Sequence, residues 1–396
     1  MSRQQFVRIM IIFTIATTVF NQVLYLTNNP PQSAGAVTKI PLNRSIQGVW
    51  LTNVDSDVLL SSSKLASAVT TLKHLRFNQV YPCVWNRGYT LYPSSVAKNT
   101  IGHSVDPTPK ASGLRNRNML AELAHWGNQA NIKVIPWFEY GFMTPADSEL
   151  ADRHPHWITQ KQNGDKIWVV SGKKQVWLNP LHSEVQDFIL SLLTEIVSQP
   201  QVDGIQLDDH FSLPSEFGYD RYTLALYQRE NPEKPVPTPT DHHWVRWRAN
   251  KLTEFMARVY KTLKAQNPNL IISVSPNTYE YAYSKQLQDW SRWVEQGWID
   301  ELVVQVYFNE ESRFKQEIEN RWIQQARKKI PVSIGILAGL RTQTVPITQI
   351  ARQISVVQER KFSGLSFFFY ESLWSLNSKS PNQRKTALSK VLQSFH

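Results

Sequence analysis

The stretch VDGIQLDDHF, residues 202–211, ends an apolar run in two consecutive acidic residues and a histidine. If this run is a β-strand, its side chains alternate between two faces, so Gln206 and Asp208 share one face and Leu207 and Asp209 the other. Leu207 would then pack under a layer of helices, which turns Asp208 toward the middle of a barrel and leaves Asp209 at its rim. Parallel α/β folds carry their chemistry at the carboxyl ends of strands. The two acids are therefore the first candidates for acid–base chemistry.

Strand and helix signals alternate along the chain around this stretch. Short apolar runs bounded by turn residues predict strands at 48–53, 78–87, 132–142, 202–208, 270–277, 299–308, 331–339 and 363–374. Helical periodicity fills the gaps between them, for example at 64–76, 118–130, 184–197 and 244–265. These units predict an α/β fold, a (β/α)₈ TIM barrel with long βα loops. A doubly wound open sheet is the alternative, weakened because no Gly-rich phosphate motif follows the first strand.

The predicted strand ends would bring polar and aromatic side chains to one face of such a barrel. Aromatic rings stack on the C–H faces of sugars, while acids and amides bond to sugar hydroxyls. The candidates for substrate contact are Trp85, Asn86, Arg87, Tyr140, His210, Asn277, Gln305, Tyr307, Tyr370 and Trp374. The pattern therefore predicts a polysaccharide or oligosaccharide as the partner.

Cleavage of a glycosidic bond needs two carboxyl groups, one as proton donor and one as nucleophile or base. Asp208 as nucleophile or base and Glu139 as acid fit this need best, with Asp209 or His210 orienting Asp208. Glu371 is a further candidate, although the parity of FFFYE leaves its direction open. Asp208 and Glu139 would come from strands about 4.8 Å apart, which favours the short carboxyl separation of retaining glycosidases. For either acid alone, a structural role such as helix capping is about as frequent as catalysis.

Metal, cofactor and acyl-transfer chemistry find little support in the sequence. His154 and His156 are two residues apart, which is not the i, i+4 spacing of helical metal ligands, and no HExxH motif occurs. Ser275 lies in SVSPN rather than in a GxSxG elbow. Cys83 is in the middle of a predicted strand, so we expect it to be buried rather than reactive. The sequence predicts neither a metal site nor a cofactor.

Charge and the N-terminus bear on the compartment. The chain has 43 basic and 32 acidic side chains, a net charge of +11, which suits an anionic partner such as a cell-wall polymer or a lipid surface. Because no compact Lys/Arg run or nucleic-acid motif occurs, nucleic acid is not the predicted partner. Arg3 and Arg8 precede the apolar run 9–20, so residues 1–36 are interpreted as a signal peptide or membrane anchor plus linker. The barrel would occupy 44–396, exported to the periplasm or cell envelope and possibly membrane-anchored.

Several motifs occur in an order that resembles the glycosyl hydrolase-like 10 family, and its cyanobacterial branch in particular. They are GVWLTN, FNQVYPCVWNRGYTLYPS, IPWFEYGF, VDGIQLDDHF, SVSPN, LVVQVYF and GLSFFFYESLW, and they extend over nearly all of the chain after residue 44. The resemblance implies a TIM barrel and an exported glycoside hydrolase that acts on peptidoglycan glycan strands, including strands without stem peptides. It places the LDDH acids of the family on Asp208 and Asp209.

A sugar-binding barrel without catalysis is the alternative function. The fifth predicted strand ends in SVSPN, with no carboxylate where many barrel glycosidases keep one. Such a protein would serve the envelope as a scaffold or targeting module, because a fold does not by itself establish activity.

Overall fold

Parallel strands close into a barrel in the computed structural model, which describes residues 45–170, 172–374 and 380–393. The strands, in chain order, are β1 Ile46–Leu51, β2 Gln79–Pro82, β3 Trp85–Asn86, β4 Tyr89–Thr90, β5 Lys133–Val134, β6 Trp137–Phe138, β7 Met143–Pro145, β8 Trp168–Val170, β9 Lys173–Trp177, β10 Gly204–Asp208, β11 Ile271–Ser275, β12 Glu301–Gln305, β13 Val332–Leu337, β14 Gly339–Leu340, β15 Gln343–Thr344 and β16 Gly364–Phe368. The main sheet has the order β5-β2-β1-β16-β13-β12-β11-β10-β6, and every pairing in it is parallel.

The two ends of that sheet belong to one broken strand. β5 pairs with β2, and β6 pairs with β10. Pro136 lies between them and has no N–H to give to a ladder, which accounts for the break. Because β5 and β6 are two halves of the third strand, the sheet closes on itself. The (β/α)₈ prediction is therefore confirmed, and closure excludes the open sheet.

Helices surround this barrel and have conventional caps. They are α1 Ser62–His74, α2 Ser95–Ile101, α3 Met119–Ala130, α4 Glu149–Arg153, α5 Ser183–Val197, α6 Arg221–Glu230, α7 His242–Gln266, α8 Tyr279–Gln286, α9 Trp290–Glu295, α10 Glu311–Ile318, α11 Arg321–Ala326, α12 Ile347–Glu359 and α13 Pro381–Gln393. The side chains of Asn118, Asp220 and Asp241 accept hydrogen bonds from backbone N–H groups of the first turn of α3, α6 and α7. Polar residues before apolar runs therefore fix where these helices begin.

The inner and outer faces of β10 follow the alternation expected from its sequence. Ile205 and Leu207 are fully buried in the apolar core. Gln206 points into the barrel, where its Oε1 accepts from Trp50 Nε1 at 2.7 Å and its Nε2 donates to Ser273 Oγ at 3.1 Å. The same alternation directs Asp208, two residues further on, to the inside of the barrel mouth.

Long loops follow the carboxyl ends of the strands. After the third strand, β7, β9 and β8 form an antiparallel three-stranded sheet. After β10, the segment 212–243 is held to α7 by the buried guanidinium of Arg248, which donates to backbone carbonyls of Ser215, Phe217 and Pro239. These loops build the walls around the barrel mouth.

Two predicted strands are shorter than expected. The third ends at Phe138 rather than at residue 142, and the eighth ends at Phe368 rather than at 374. Tyr370–Leu373 form a 3₁₀ turn. Tyr370 and Glu371 therefore do not lie on a strand, because the chain turns away from the barrel before it reaches them.

The predicted N-terminal export segment, residues 1–36, lies outside the described residues. Within the ranges that the structure does describe, no helix has the length and apolar character needed to cross a membrane.

Candidate active site

The third and fourth strands bring Glu139 and Asp208 to the same part of the barrel mouth. Leu207 is in register with Phe138, so the next residues along, Asp208 and Glu139, face each other across the pair. Trp137 shares the inward face with Glu139 and donates its Nε1 hydrogen to Asp208 Oδ2 at 2.8 Å. The structure therefore brings together the two acids predicted from sequence.

Asp208 is almost completely enclosed, with 2% of its surface exposed. Its Oδ1 accepts from the Asp209 backbone N–H at 2.6 Å and from Gln305 Nε2 at 2.9 Å. Burial, together with the negative charge of Asp209, raises the pKa of Asp208 well above its usual range. Asp208 therefore tends to keep its proton at neutral pH.

Asp209 is more exposed and behaves in the opposite way. Asn277 Nδ2 and Gln286 Nε2 donate to its Oδ2 at 2.8 and 3.1 Å, and His210 Nδ1 lies 3.7 Å from its Oδ1. Burial by itself would raise the pKa of Asp209, but the positive charge of His210 and these hydrogen bonds lower it overall. Asp209 is therefore the ionised member of the pair.

Glu139 is held by groups of the second strand. Asn86 Nδ2 donates a short hydrogen bond to Glu139 Oε2, and Cys83 Sγ lies 3.1 Å from the same oxygen. Burial raises the pKa of Glu139, although the two hydrogen bonds and the charges of His210 and Arg87 partly oppose it. A carboxyl group with a raised pKa suits a proton donor.

His210 connects the acids. Its Nδ1 lies 3.0 Å from the backbone oxygen of Glu139, and because a carbonyl can only accept, Nδ1 carries a hydrogen. The ring also lies 6.0 Å from that of Tyr140. His210 therefore sits between Glu139 and Asp209, where its charge stabilises both carboxylates.

Two other predicted contacts, Tyr307 and Gln305, lie beside the acids. Burial and the charges of Asp208 and Asp209 raise the pKa of Tyr307 well above its usual range. Its ring packs against Phe368 with a centroid distance of 5.7 Å. Gln305 donates to both aspartates, at 2.9 Å to Asp208 and 3.4 Å to Asp209.

The prediction that Trp85 contacts sugar is wrong. Its side chain is fully buried, stacks on Phe138 at a centroid distance of 5.6 Å and donates its Nε1 hydrogen to Gly141 O at 3.1 Å. The hairpin of β3 and β4 folds the ring under the barrel rim. Trp85 therefore supports the strand that carries Glu139 and presents no face to a ligand.

Glu371, Tyr370 and Trp374 lie beside the loop that follows β1. Glu371 accepts a short hydrogen bond from Ser56 Oγ, and burial raises its pKa to about 7. The ring of Tyr370 meets that of Trp374 edge-on at 4.6 Å. The structure does not place this group against the Asp208 and Asp209 carboxylates, because the chain turns away after Phe368.

Trp137, Gln286 and Cys83 also touch the acids but were not predicted from sequence to do so. Alternation along the third strand could have found Trp137, because it shares a face with Glu139. Gln286 is the last residue of α8, and no local pattern connects it with Asp209.

Cavities adjoin the site on more than one side. One of about 890 Å³ includes Asp209, His210, Trp168 and Trp177, and a second of about 700 Å³ includes Asp209, Asn277 and Gln305. A third, of about 780 Å³, begins at Arg87. Asp209 lines both of the first two cavities, so its carboxylate lies where a bound chain would pass from one to the other.

Asp208, Asp209 and His210 place their potential ligand atoms within 4.8 Å of one another, which is compatible with a metal ion. The amide N–H groups of Gln305 and Asn277, however, point at the carboxylate oxygens. Such donors compete with a cation for the same lone pairs. The donor set therefore fits a hydrogen-bonded acid pair better than a resident metal.

Residues 45–356 match the model of the family described as glycosyl hydrolase-like 10. The chain belongs to this family. It is 24% identical over 291 residues to glycosyl hydrolase DigH of Escherichia coli K12, a match that covers 66% of this chain and 62% of DigH. It is 22% identical over 214 residues to glycosyl hydrolase YngK of Bacillus subtilis, covering 48% of this chain and 39% of YngK. The match thus spans less than two thirds of either relative.

Solved structures share the fold. The glycoside hydrolase domain of PgaB from Bordetella bronchiseptica has a TM-score of 0.64 at 13% identity, with 88% of this chain and 99% of that domain covered. The catalytic domain of a β-amylase from Paenibacillus polymyxa gives 0.58 at 10% identity, covering 88% and 98%. An α-galactosidase from Thermus thermophilus gives 0.52 at 14%, covering 88% and 62%. At these identities the likeness establishes the barrel alone.

Proposed function

We propose that this chain is a glycoside hydrolase that cleaves the glycan strands of bacterial peptidoglycan, with strands lacking stem peptides as its substrate. The observation that carries the proposal is an ionised carboxylate, Asp209, lining two cavities beside a second carboxyl group with a raised pKa, Glu139. Membership of a glycosyl hydrolase-like family supports the reaction class. The names of DigH and YngK support the same class.

In this proposal Asp209 is the nucleophile or base, and Glu139 is the proton donor to the leaving oxygen. The first role moves from Asp208 to Asp209 because Asp208 is enclosed and tends to stay protonated, whereas Asp209 is ionised and reaches the cavities. Asp208 then positions Asp209 through the backbone N–H and the shared donor Gln305. Retention of configuration stays a prediction.

Export, anchoring at the envelope membrane through residues 1–36, and the cyanobacterial branch are further parts of the proposal. They rest on the basic and apolar pattern of the N-terminus and on the order of the motifs.

Cleavage of isolated sacculi tests the proposal. The full chain is incubated with sacculi that have or have not been treated with an amidase, and new reducing ends are counted while NMR follows the anomer formed first. We expect cleavage of the amidase-treated material. Cleavage confined to an unrelated polysaccharide such as starch would refute the substrate, and a first product of inverted configuration would refute retention.

Two isosteric variants test the roles of the acids. Asp209→Asn should reduce the rate by about 10²–10⁴-fold, the usual contribution of a catalytic acid or base. Asp208→Asn should reduce it less, because that side chain already keeps a proton. Asp187→Asn, which changes an exposed carboxylate on α5, is the matched control and should leave the rate unchanged. An Asp209→Asn variant as active as wild type would overturn the assignment.

A sugar-binding barrel without catalysis is the second candidate. It is favoured by the end of β11, where Ser275 and Asn277 stand and no carboxylate follows. Binding of glycan strands without new reducing ends, unaffected by Asp209→Asn, would select this function over the enzyme.

A further inference from the structure

The cavity that begins at Arg87, which we call the lysine cavity, has an excess of positive charge. It has a volume of about 780 Å³. Its charged lining consists of four cations, Arg87, Lys110, Lys173 and Lys174, and two acids, Asp106 and Asp147. The net charge of this lining is therefore +2 (four cations minus two acids). Such a lining raises the local concentration of anions.

The lysines of this cavity are available to a ligand. Lys110, Lys173 and Lys174 are exposed, and in the described part of the chain none of them lies within 4.0 Å of a carboxylate. Lys161, in the neighbouring 890 Å³ cavity, differs because it pairs with Asp165 at 3.0 Å. The positive charge of the lysine cavity is thus not neutralised by the protein itself.

Arg87 joins the lysine cavity to the acids. It follows Asn86, which holds Glu139, and its positive charge acts on the carboxyl group of Glu139. It also forms a hydrogen bond with the Tyr140 side chain. A chain bound at Glu139 would therefore place a neighbouring sugar unit beside Arg87 and the lysines.

The cavity on the far side of Asp209 has the opposite charge. The 700 Å³ cavity is lined by Asp209, Glu280 and Glu317 and by a single cation, Arg313. The two ends of the cleft therefore favour different groups. An anionic substituent is stabilised at the end with Arg87 and destabilised at the end with Glu280.

Peptidoglycan supplies such a substituent only after its peptides have been removed. In an intact strand the lactyl group of each muramoyl residue is joined to the stem peptide by a neutral amide. Hydrolysis of that amide by an amidase adds water across the C–N bond, releases the peptide amine and leaves a carboxylate on the sugar. One negative charge per disaccharide appears at the position where the peptide was attached.

We propose that the lysine cavity binds the free lactyl carboxylate of a muramoyl residue and so selects strands from which the stem peptide has been removed. This inference rests on the proposed function and adds the group that is recognised. It makes charge, and not only the absence of a bulky peptide, the basis of selection. It also places the enzyme after an amidase reaction, because that reaction supplies the carboxylate.

A chemically blocked substrate separates charge from bulk. Amidase-treated glycan strands are compared with the same strands after their carboxylates have been coupled to methylamine, which removes the charge and adds only a methylamino group. We expect wild type to bind and cleave the free-carboxylate strands about tenfold better. That preference should fall as salt rises, because screening weakens exposed ion pairs.

The double variant Lys173→Glu/Lys174→Glu should lose this preference. We expect its affinity for free-carboxylate strands to fall about tenfold, or about 1.4 kcal/mol, while its affinity for methylamide strands changes little. Lys328→Glu/Lys329→Glu is the matched control. These two exposed lysines are also adjacent and precede β13, at the opposite end of the barrel. The control carries the same change in charge and should keep the preference.

Binding and cleavage together distinguish failure of the inference from failure of the proposed function. Binding is measured with the Asp209→Asn full chain, which would not consume the strands. Equal cleavage of both substrates by wild type would overturn the lysine cavity proposal and leave the hydrolase in place. Discrimination in binding without any cleavage would keep the carboxylate site and overturn the hydrolase. Equal loss of affinity in both double variants would also overturn the site.

Discussion

Replacing Gln305 with methionine tests whether one amide holds the two aspartates in their different protonation states. Gln305 Nε2 lies 2.9 Å from Asp208 Oδ1 and 3.4 Å from Asp209 Oδ1. It donates a hydrogen and cannot be protonated, so it stabilises the charged form of the pair. Methionine has a similar length and shape but offers no donor, so Gln305→Met should favour the protonated form.

The size of the effect follows from the hydrogen bond that is lost. A hydrogen bond to a charged group contributes about 1.5–3 kcal/mol, and one pKa unit corresponds to about 1.36 kcal/mol. The apparent pKa of the Asp208–Asp209 pair should therefore rise by about one to two units. If the ionised carboxylate is required for cleavage, the acidic limb of the pH–rate profile moves to higher pH by the same amount.

The assay is the pH dependence of strand cleavage, together with a ¹³C NMR titration of carboxyl-labelled aspartates that needs no activity. Gln353→Met is the control, because Gln353 is buried and donates to the Phe308 backbone oxygen at 2.9 Å. It should lower stability without moving the profile. If the profile and titration of Gln305→Met coincide with those of wild type, the role given to this amide is refuted.

Three further changes probe the scaffold of the site. Gly141→Ala should reduce cleavage at least about tenfold and lower the melting temperature, because Gly141 has φ +49° and an added Cβ would lie 2.2 Å from His210 O; wild-type activity would contradict this. Arg248→Met should lower the free energy of unfolding in urea by about 3 kcal/mol and expose segment 212–243 to protease, because it removes the donors to that loop; an unchanged urea midpoint would argue against it. Glu371 has a folded pKa of about 7 against an ordinary value of 4.5, so wild type should lose stability as pH rises through this range and Glu371→Gln should not; parallel stability curves would exclude the assignment.

The barrel was predictable because its signals are local. Alternation of apolar and polar residues defines a strand within about six residues, and turn residues mark where it ends. The inward direction of Gln206 and Asp208 follows from the same rule. The break at Pro136 and the sheet formed by β7, β8 and β9 were not predicted, because they depend on how the loops pack.

The sequence by itself determined which acids lie at the mouth of the barrel, since Glu139 and Asp208 end neighbouring strands. It did not determine their roles. Asp208 and Asp209 are consecutive and chemically identical, and they differ only in what surrounds them. Trp137 and enclosure keep one protonated, whereas His210, Asn277 and Gln286 keep the other ionised.

The tertiary structure also decided which aromatic rings can meet a ligand. Trp85 follows a strand much as Tyr307 does, yet Trp85 is stacked on Phe138 and fully buried while Tyr307 keeps some exposure. Strand alternation is a property of neighbouring residues and can be found in a sequence. Burial and hydrogen bonding sum the effects of side chains from distant segments, so they are fixed only when the barrel closes and its loops fold over the mouth.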